Sequence, residues 1–576
     1  MKIIGLVSLI CLSWFAKGQS NISVKKYFQR EFIEEKYHNQ ADKLRALEEI
    51  GFDGNENLEV SDVRSLNTED EALQVGAEPH IAINPNDANH IVVTFMSVGG
   101  EFEFPVYYSF DAGETWAKSD YSIASSFKTH MGITAELEHG GDPILAFDNN
   151  GKLYFSWLFV HDDIGTTGFV YSNDGGITFN EVSEESIVNS GSTQQMEVLD
   201  REWLAVDNSG GEKDGTLYMS AFYLGQSFNA NGQIVLTKPS DSDVFNTSVS
   251  SAAPFNQAAM TAPQFGNIKV DGMGNIHVSC MQYNPQTGAG TIVYSKSNDG
   301  ASSFVETEIA TNSTQTNGNA ILHARENAAV GMDIDGDNVY VTWTDYSDNE
   351  IKSYYVYSNN NGVDWSEAIL LNTLLGDTKY CLMPNVSADN GKMTISFYAV
   401  EKTTKIGSYF IVSSSDMGHT LGAAVEISSV NTDFYNVPDA EFMGDYNTSL
   451  MQGCNVYSVW SNKTGSQIKI YIGKTDVCAI TGIVEYNTVN GSFSLEEVYP
   501  NPIKEDLNLN LSSSKFQQVN LEILSLDGKI VLDKTFDVNE GNNKLNTKVS
   551  KLSEGAYLLK ISNNVNDILT KKIIKL

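Results

Sequence analysis

One turn recurs along the middle of this chain, and it limits the fold more than any other feature. In full it reads Ser-x-Asp-x-Gly-x-Thr-aromatic after a Val/Tyr-rich run, as in Ser109-Phe110-Asp111-Ala112-Gly113-Glu114-Thr115-Trp116. The copies begin at Ser109, Ser172, Ser297, Ser358 and Ser414, spaced 63, 125, 61 and 56 residues apart, so the long interval holds two units. An eroded copy is expected near Pro239 to Asp243. The residues of the turn suit a structural role, because Ser and Asp oxygens cap backbone N–H groups, Gly permits a positive φ, and the aromatic ring plugs between strands. A period of about sixty residues implies one supersecondary unit stacked repeatedly.

A second pattern shares the period: an apolar strand, a turn with Asp, Asn or Gly, and a strand ending in an aromatic residue or methionine. Seven copies run Ile81 to Phe95, Ile144 to Trp157, Trp203 to Phe222, Ile268 to Met281, Ala329 to Trp343, Val386 to Phe397 and Tyr446 to Trp460. Six carry the Ser/Asp turn or its remnant, and the seventh ends in the strand Ile468 to Ile472. The turn is an Asp box, and the region 76–480 resembles the sialidase-like β-propeller superfamily of BNR repeats. The expected class is all-β. The sialidases it resembles have six blades, whereas the repeat count favours seven, the last closed by residues near Leu66 to Val75.

With 37 Lys+Arg against 73 Asp+Glu the net charge is −36, which excludes polyanion binding as a default and leaves nucleic acid out of the expected partners. Met1-Lys2, the apolar run Ile3 to Phe15 and Ala16-Lys17-Gly18 read as a signal peptide, residues 1–18, cleaved before Gln19. No later stretch approaches the ~20 apolar residues of a spanning helix, so no transmembrane segment is expected. Residues 19–75 read as a spacer with loosely helical spacing from Lys25 to Ile50. Cys280, Cys381, Cys454 and Cys478 match no metal spacing, and their pairing stays open.

Residues 494–576 differ in composition, with 11 acids and 11 bases, and read as short alternating strands in a small β-sandwich-like unit. Val498-Tyr499-Pro500-Asn501-Pro502, Leu526-Asp527-Gly528-Lys529, Gly555-Ala556-Tyr557 and Lys571-Lys572-Ile573-Ile574-Lys575 resemble the C-terminal sorting domain of the type IX secretion system of Bacteroidetes. The resemblance implies passage through the periplasm, contact with that machinery, and release or display at the cell surface.

Loops entering the first strand of each repeat gather at one mouth of a propeller's channel. Here they carry Glu78-Pro79-His80, His139 to Pro143, Asp200-Arg201-Glu202-Trp203, Pro263-Gln264, His323 to Asn327, Pro384-Asn385 and Gly444-Asp445-Tyr446. Sialidases clamp a substrate carboxylate with three arginines and use a Tyr with a Glu base and an Asp acid. By that resemblance Tyr446 is the candidate nucleophile, Glu326 or Glu202 its base and Asp142 the acid, with Arg201, Arg325, Trp203 and His80 as substrate contacts. Region 76–480 has only two arginines, and Glu78 stands where the family's first would be, so the triad is incomplete. The same acids, above all Asp200, Asp445 and Glu78, suit a Ca²⁺ ion, although no cofactor is required. Asp333-Ile334-Asp335-Gly336-Asp337 and His161-Asp162-Asp163 read as structural turns. The expected function is recognition or processing of an extracellular glycan or glycoprotein; an exo-sialidase-like glycoside hydrolase and a non-catalytic binding or adhesion propeller with structural Ca²⁺ both remain open.

Overall fold

The computed structural model describes residues 61–65 and 75–575, with breaks at 66–74, 99–101, 138, 163, 193–197, 225–231, 247–253, 256–261, 284–289, 313–321, 323–329, 348–349, 377, 436–442, 465–466, 481–491, 500–502, 525–529, 554 and 564–567. The signal peptide, the Lys25–Ile50 spacer, Arg325 and Glu326 lie outside the described residues. The chain divides into two compact units between Val477 and Cys478.

The first unit contains seven antiparallel sheets among its described residues, formed in succession along the chain. Their first strands are β2 (Val75–Asn84), β3 (His139–Phe147), β4 (Val198–Val206), β5 (Ala262–Val270), β6 (Gly331–Asp335), β7 (Lys379–Asp389) and β8 (Thr448–Gln452). Each first strand lies against the first strand of the next sheet, and β8 lies against β2, which closes a ring. The architecture is a β-propeller.

Closure is made by β1 (Ser61–Ser65), which pairs antiparallel with β10 (Gln467–Asp476) at the outer edge of the seventh sheet, beyond β9 (Asn455–Thr464). The closing segment therefore stands just upstream of the Leu66–Val75 stretch that the sequence pointed to. Pairing satisfies an edge that would otherwise present unmade hydrogen bonds.

Stacked sheets bury the second strand of each on both faces, which is why these strands read as continuous apolar runs rather than alternating ones. Leu153–His161 (LYFSWLFVH) is buried along seven consecutive residues. Trp157, Trp343 and Trp460 lie mid-strand in such runs and are fully buried. Between the seventh sheet and the first, Ile81, Val93 and Phe95 pack with Tyr457, Val459 and Ile470.

The Asp boxes have one geometry throughout. Ser172 Oγ donates to Asp174 Oδ1 at 2.7 Å and accepts the Gly176 N–H at 2.8 Å, while Asp174 accepts Thr178 N–H and Oγ1–H at 2.9 and 2.5 Å. The same bonds recur at Ser109, Ser297 and Ser414, and Asn360 replaces the Asp in the copy at Ser358. In the eroded interval the turn is held by Ser242 N–H to Pro239 O and by Lys238 Nζ to Ser242 O. Asp333 accepts Ala388 N–H at 2.8 Å and pairs with Lys269 Nζ at 3.1 Å, linking three successive sheets. Cys280 and Cys381 are buried free thiols, and Cys454 and Cys478 are disulfide-bonded.

The second unit holds a three-stranded and a four-stranded sheet among its described residues. Asp506–Ser513 alternates half-buried with buried, and its Leu507, Leu509 and Leu511 meet Val519, Leu521, Ile523, Leu559 and Ile561 of the other sheet in one core.

Candidate functional site

Five first strands break register at the same place: β2 between Ala77 and His80, β3 between Gly141 and Ile144, β4 between Asp200 and Trp203, β5 between Gln264 and Asn267, and β7 between Leu382 and Asn385. The bulged residues Glu78, Asp142, Arg201 and Met383 adopt φ of 53°, 55°, 56° and 52°. Non-glycine residues there cost about 1–3 kcal/mol each, and bulges of this kind re-aim side chains beside functional sites. Pro79, Pro143 and Pro384 follow three of them, where a missing N–H leaves no ladder bond broken.

The bulges turn their side chains toward one another. Glu78 accepts the Asp142 N–H on Oε2 at 3.1 Å and the Asp445 N–H on Oε1 at 3.3 Å, so one carboxylate ties the first sheet to the second and the seventh. Gly444 makes this approach feasible: its φ is +93°, and a Cβ there would stand 2.7 Å from Glu78 N and 2.8 Å from Glu78 Cγ. Asp142 Oδ2 accepts the Arg201 N–H at 3.2 Å, and Arg201 Nε reaches Asp445 Oδ2 at 3.9 Å.

Aromatic groups flank these charges. Trp203 meets Tyr446 edge-on at 5.2 Å between centroids and His80 at 5.4 Å. His80 Nδ1 accepts the Leu145 N–H at 3.1 Å, which leaves the ring proton on Nε2. Burial, with Lys269 adding to it, pushes the imidazole down to about 3, so it is neutral.

The site is acidic and largely dry: Glu78, Asp142, Glu202, Asp445 and Tyr446 are all buried. Burial, then the charges of Glu78, Asp200 and Glu202, push the Asp142 carboxyl well up. Burial also raises Glu202, followed by Asp200 and Glu78. Both therefore hold a proton more tightly than an ordinary carboxyl. The Tyr446 phenol is driven up by burial, then by Glu78, Asp142, Glu202 and Asp445. Burial opposes the charge of Arg201, but Asp200, Asp445, Asp142 and Glu78 outweigh it and hold the guanidinium above its ordinary value.

Tyr446, Asp142, Glu202, Arg201, Trp203, His80, Asp200, Asp445 and Glu78 thus come together from four sheets. His139 is exposed. Among the described residues Asp200, Asp445 and Glu78 do not bring oxygens within 4.8 Å of one another. The present geometry is therefore not a preformed Ca²⁺ cage. Sequence reasoning gave Asn385 no role and did not find Asn447. Asn385 Oδ1 accepts the Ser449 N–H at 2.9 Å, repeating the role of His80 two sheets away, and Asn447 Oδ1 accepts the Ser461 N–H at 3.0 Å. The position two residues beyond the bulge carries that signal in the first and sixth sheets, at His80 and Asn385.

Residues 497–576 match the family described as secretion system C-terminal sorting domain. The chain therefore carries a type IX sorting domain, which places the protein outside the cell or on its surface. No curated protein matches the chain. Among solved structures, similarity extends to a polysaccharide lyase (10% identity, TM-score 0.42, covering 73% of this chain and all of that one). An α-L-arabinanase of Penicillium chrysogenum (13%, 0.36, 70% and 94%) and the sialidase of Trypanosoma rangeli (10%, 0.39, 87% and 84%) are also similar. No helix among the described residues is long and apolar enough to cross a membrane.

Proposed function

We propose that this secreted propeller processes extracellular glycans at the bulged mouth of its ring, with Asp142 as the proton donor. The carrying observation is Asp142 itself: a buried carboxyl, aimed into the mouth by a strained bulge, whose burial and acidic neighbours keep it protonated. That is the state a general acid needs before a glycosidic oxygen leaves. Tyr446 lies among Glu78, Asp142, Glu202 and Asp445, so a proton leaving its hydroxyl has carboxyl acceptors close by. It serves as the nucleophile, and Trp203 offers an apolar edge to a sugar ring. Since Glu202 also holds its proton, Glu78 is the acceptor we favour for the Tyr446 proton in place of Glu202.

The test is turnover of a panel of fluorogenic exo-glycosides, sialoside included, by the purified protein and by Asp142→Asn and Tyr446→Phe. Turnover by the wild type that falls at least about a hundredfold in both folded variants supports the roles. Turnover that survives either change removes that residue from the mechanism, and silence across the panel leaves the propeller a binding module.

A further inference from the structure

The seventh sheet opens differently from the five whose first strands are bulged. Its ladder ends at Thr448 opposite Val459, and the same register carried to the next hydrogen-bonded pair would set Tyr446 against Ser461. Instead Ser461 gives its N–H to Asn447 Oδ1 at 3.0 Å, and its carbonyl accepts the hydroxyl of Tyr398, from the second strand of the sixth sheet. The same hydroxyl reaches Asn447 Oδ1 at 3.4 Å. Asn447, Tyr398 and Ser461 are all buried, where backbone groups have to be paired. Two side chains thus do for Ser461 what the Tyr446 backbone would do in an unbroken ladder.

The neighbours of Tyr446 are fastened from both flanking sheets. Asp445 gives its N–H to Glu78, the bulge residue of the first sheet, and Thr448 Oγ1 donates to Pro79 O at 3.0 Å. Asn447 Nδ2 donates to Met383 Sδ at 3.5 Å, and Met383 is the bulge residue of the sixth sheet. Between these anchors the Tyr446 ring meets Trp203 at 5.2 Å between centroids. Resting on the glycan reading above for its catalytic consequence, we propose that Asn447 and Tyr398 are positioning residues. By occupying the backbone of Ser461 they release Tyr446 from the sheet and hold its phenol at the mouth. Their effect is preorganisation, since a reacting group misplaced by about 1 Å can lose about a hundredfold in rate. Without the Tyr398 hydroxyl or the Asn447 amide, the bare Ser461 groups draw the Tyr446 backbone toward the ladder and its ring away from Trp203.

The experiment places 3-fluorotyrosine at position 446 of the full secreted chain and reads it by fluorine NMR. Tyr398→Phe and Asn447→Leu should each shift or split the resonance of the wild-type background. Tyr409→Phe is the matched control: its hydroxyl is equally buried in the sixth sheet but donates to Ser396 Oγ at 3.0 Å, and its loss should leave the resonance in place. On the fluorogenic glycoside that the unlabelled wild type turns over fastest, Tyr398→Phe should lower kcat at least about tenfold. KM should stay within about twofold, as for a group that acts on the chemical step alone. A resonance unmoved in both variants would overturn the proposal, and so would an equal change in Tyr409→Phe, which would mean general loosening of the sheet. A moved resonance with unchanged kcat would overturn the role given to Tyr446 in the glycan reading and leave its placement by Asn447 and Tyr398 standing. Silence toward every glycoside would overturn the glycan reading alone, with the resonance still deciding the placement. Should Asn447→Leu not fold, Tyr398→Phe decides by itself.

Discussion

The guanidinium of Arg201, on the third sheet, lies 3.9 Å from the carboxylate of Asp445, on the seventh. The pair joins two sheets that are not neighbours in the ring, and it does so inside an otherwise acidic site. Arg201→Gln would leave several buried carboxyl groups without a counter-charge, at a cost of about 3 kcal/mol or more. Denaturant unfolding at pH 7 should show that loss, and it should shrink at pH 4, where the carboxyl groups can protonate. An equal loss at both pH values would deny Arg201 its role as counter-ion.

Stability should respond to pH in two opposite ways. Asp142 and Glu202 are raised in the folded state, so it binds protons that the unfolded chain has released; their contribution is whole below the unfolded value near 4 and declines as pH rises toward the folded values. Glu202→Gln removes one such group and should raise the melting temperature relative to wild type more at pH 8 than at pH 5. No such difference would show that Glu202 is not held protonated.

The Asp boxes run the other way. Bonds from the Ser303 side chain and then its N–H bring Asp299 down to about 2, so its contribution stands above pH 4 and is lost as pH falls toward 2. In the second sheet's box, Ser172→Ala removes the acceptor of the buried Gly176 N–H and should cost about 1–2 kcal/mol in urea unfolding. A change below a few tenths would mean the box does not brace its hairpin.

Gly444→Ala and Gly453→Ala form a matched pair. Both positions have positive φ, but a methyl at Gly444 collides with Glu78, whereas at Gly453 nothing lies within 4 Å. Gly453→Ala should cost about 1 kcal/mol from backbone strain alone. Gly444→Ala should cost clearly more and abolish glycan binding or turnover; equal effects would show that the approach to Glu78 carries no function.

Deleting residues 497–576 should trap the protein in the periplasm, as read by immunoblotting of cell fractions. Normal surface display of the deletion would show that sorting signals lie elsewhere.

How much of this was legible beforehand depends on how local the cause was. The Asp box is self-contained: Ser172, Asp174, Gly176 and Thr178 satisfy one another within seven residues, so the sequence displayed the repeat, and with it the ring. The mouth was only half legible. Glu78, Asp142, Arg201 and Tyr446 stood out as polar groups at strand starts, but their convergence depends on bulges, and only Pro79, Pro143 and Pro384 hinted at those. Asp200 beside them was visible, but the burial of Glu202 and the approach of Glu78, Asp142 and Asp445 to Glu202 and Arg201 come from other sheets, which no spacing along the chain records.

The pairing of Ser61–Ser65 with Gln467–Asp476 also bears on how the protein folds. The clasp joins positions some four hundred residues apart, so it can form only after the whole ring has been synthesised, and loop closure of that span is slow. Until then the first and seventh sheets each expose a flank, and afterwards neither end of the ring can peel away alone. Loss of structure should therefore begin with release of the clasp, and the short strand upstream of the repeats would set the lifetime of the folded propeller outside the cell.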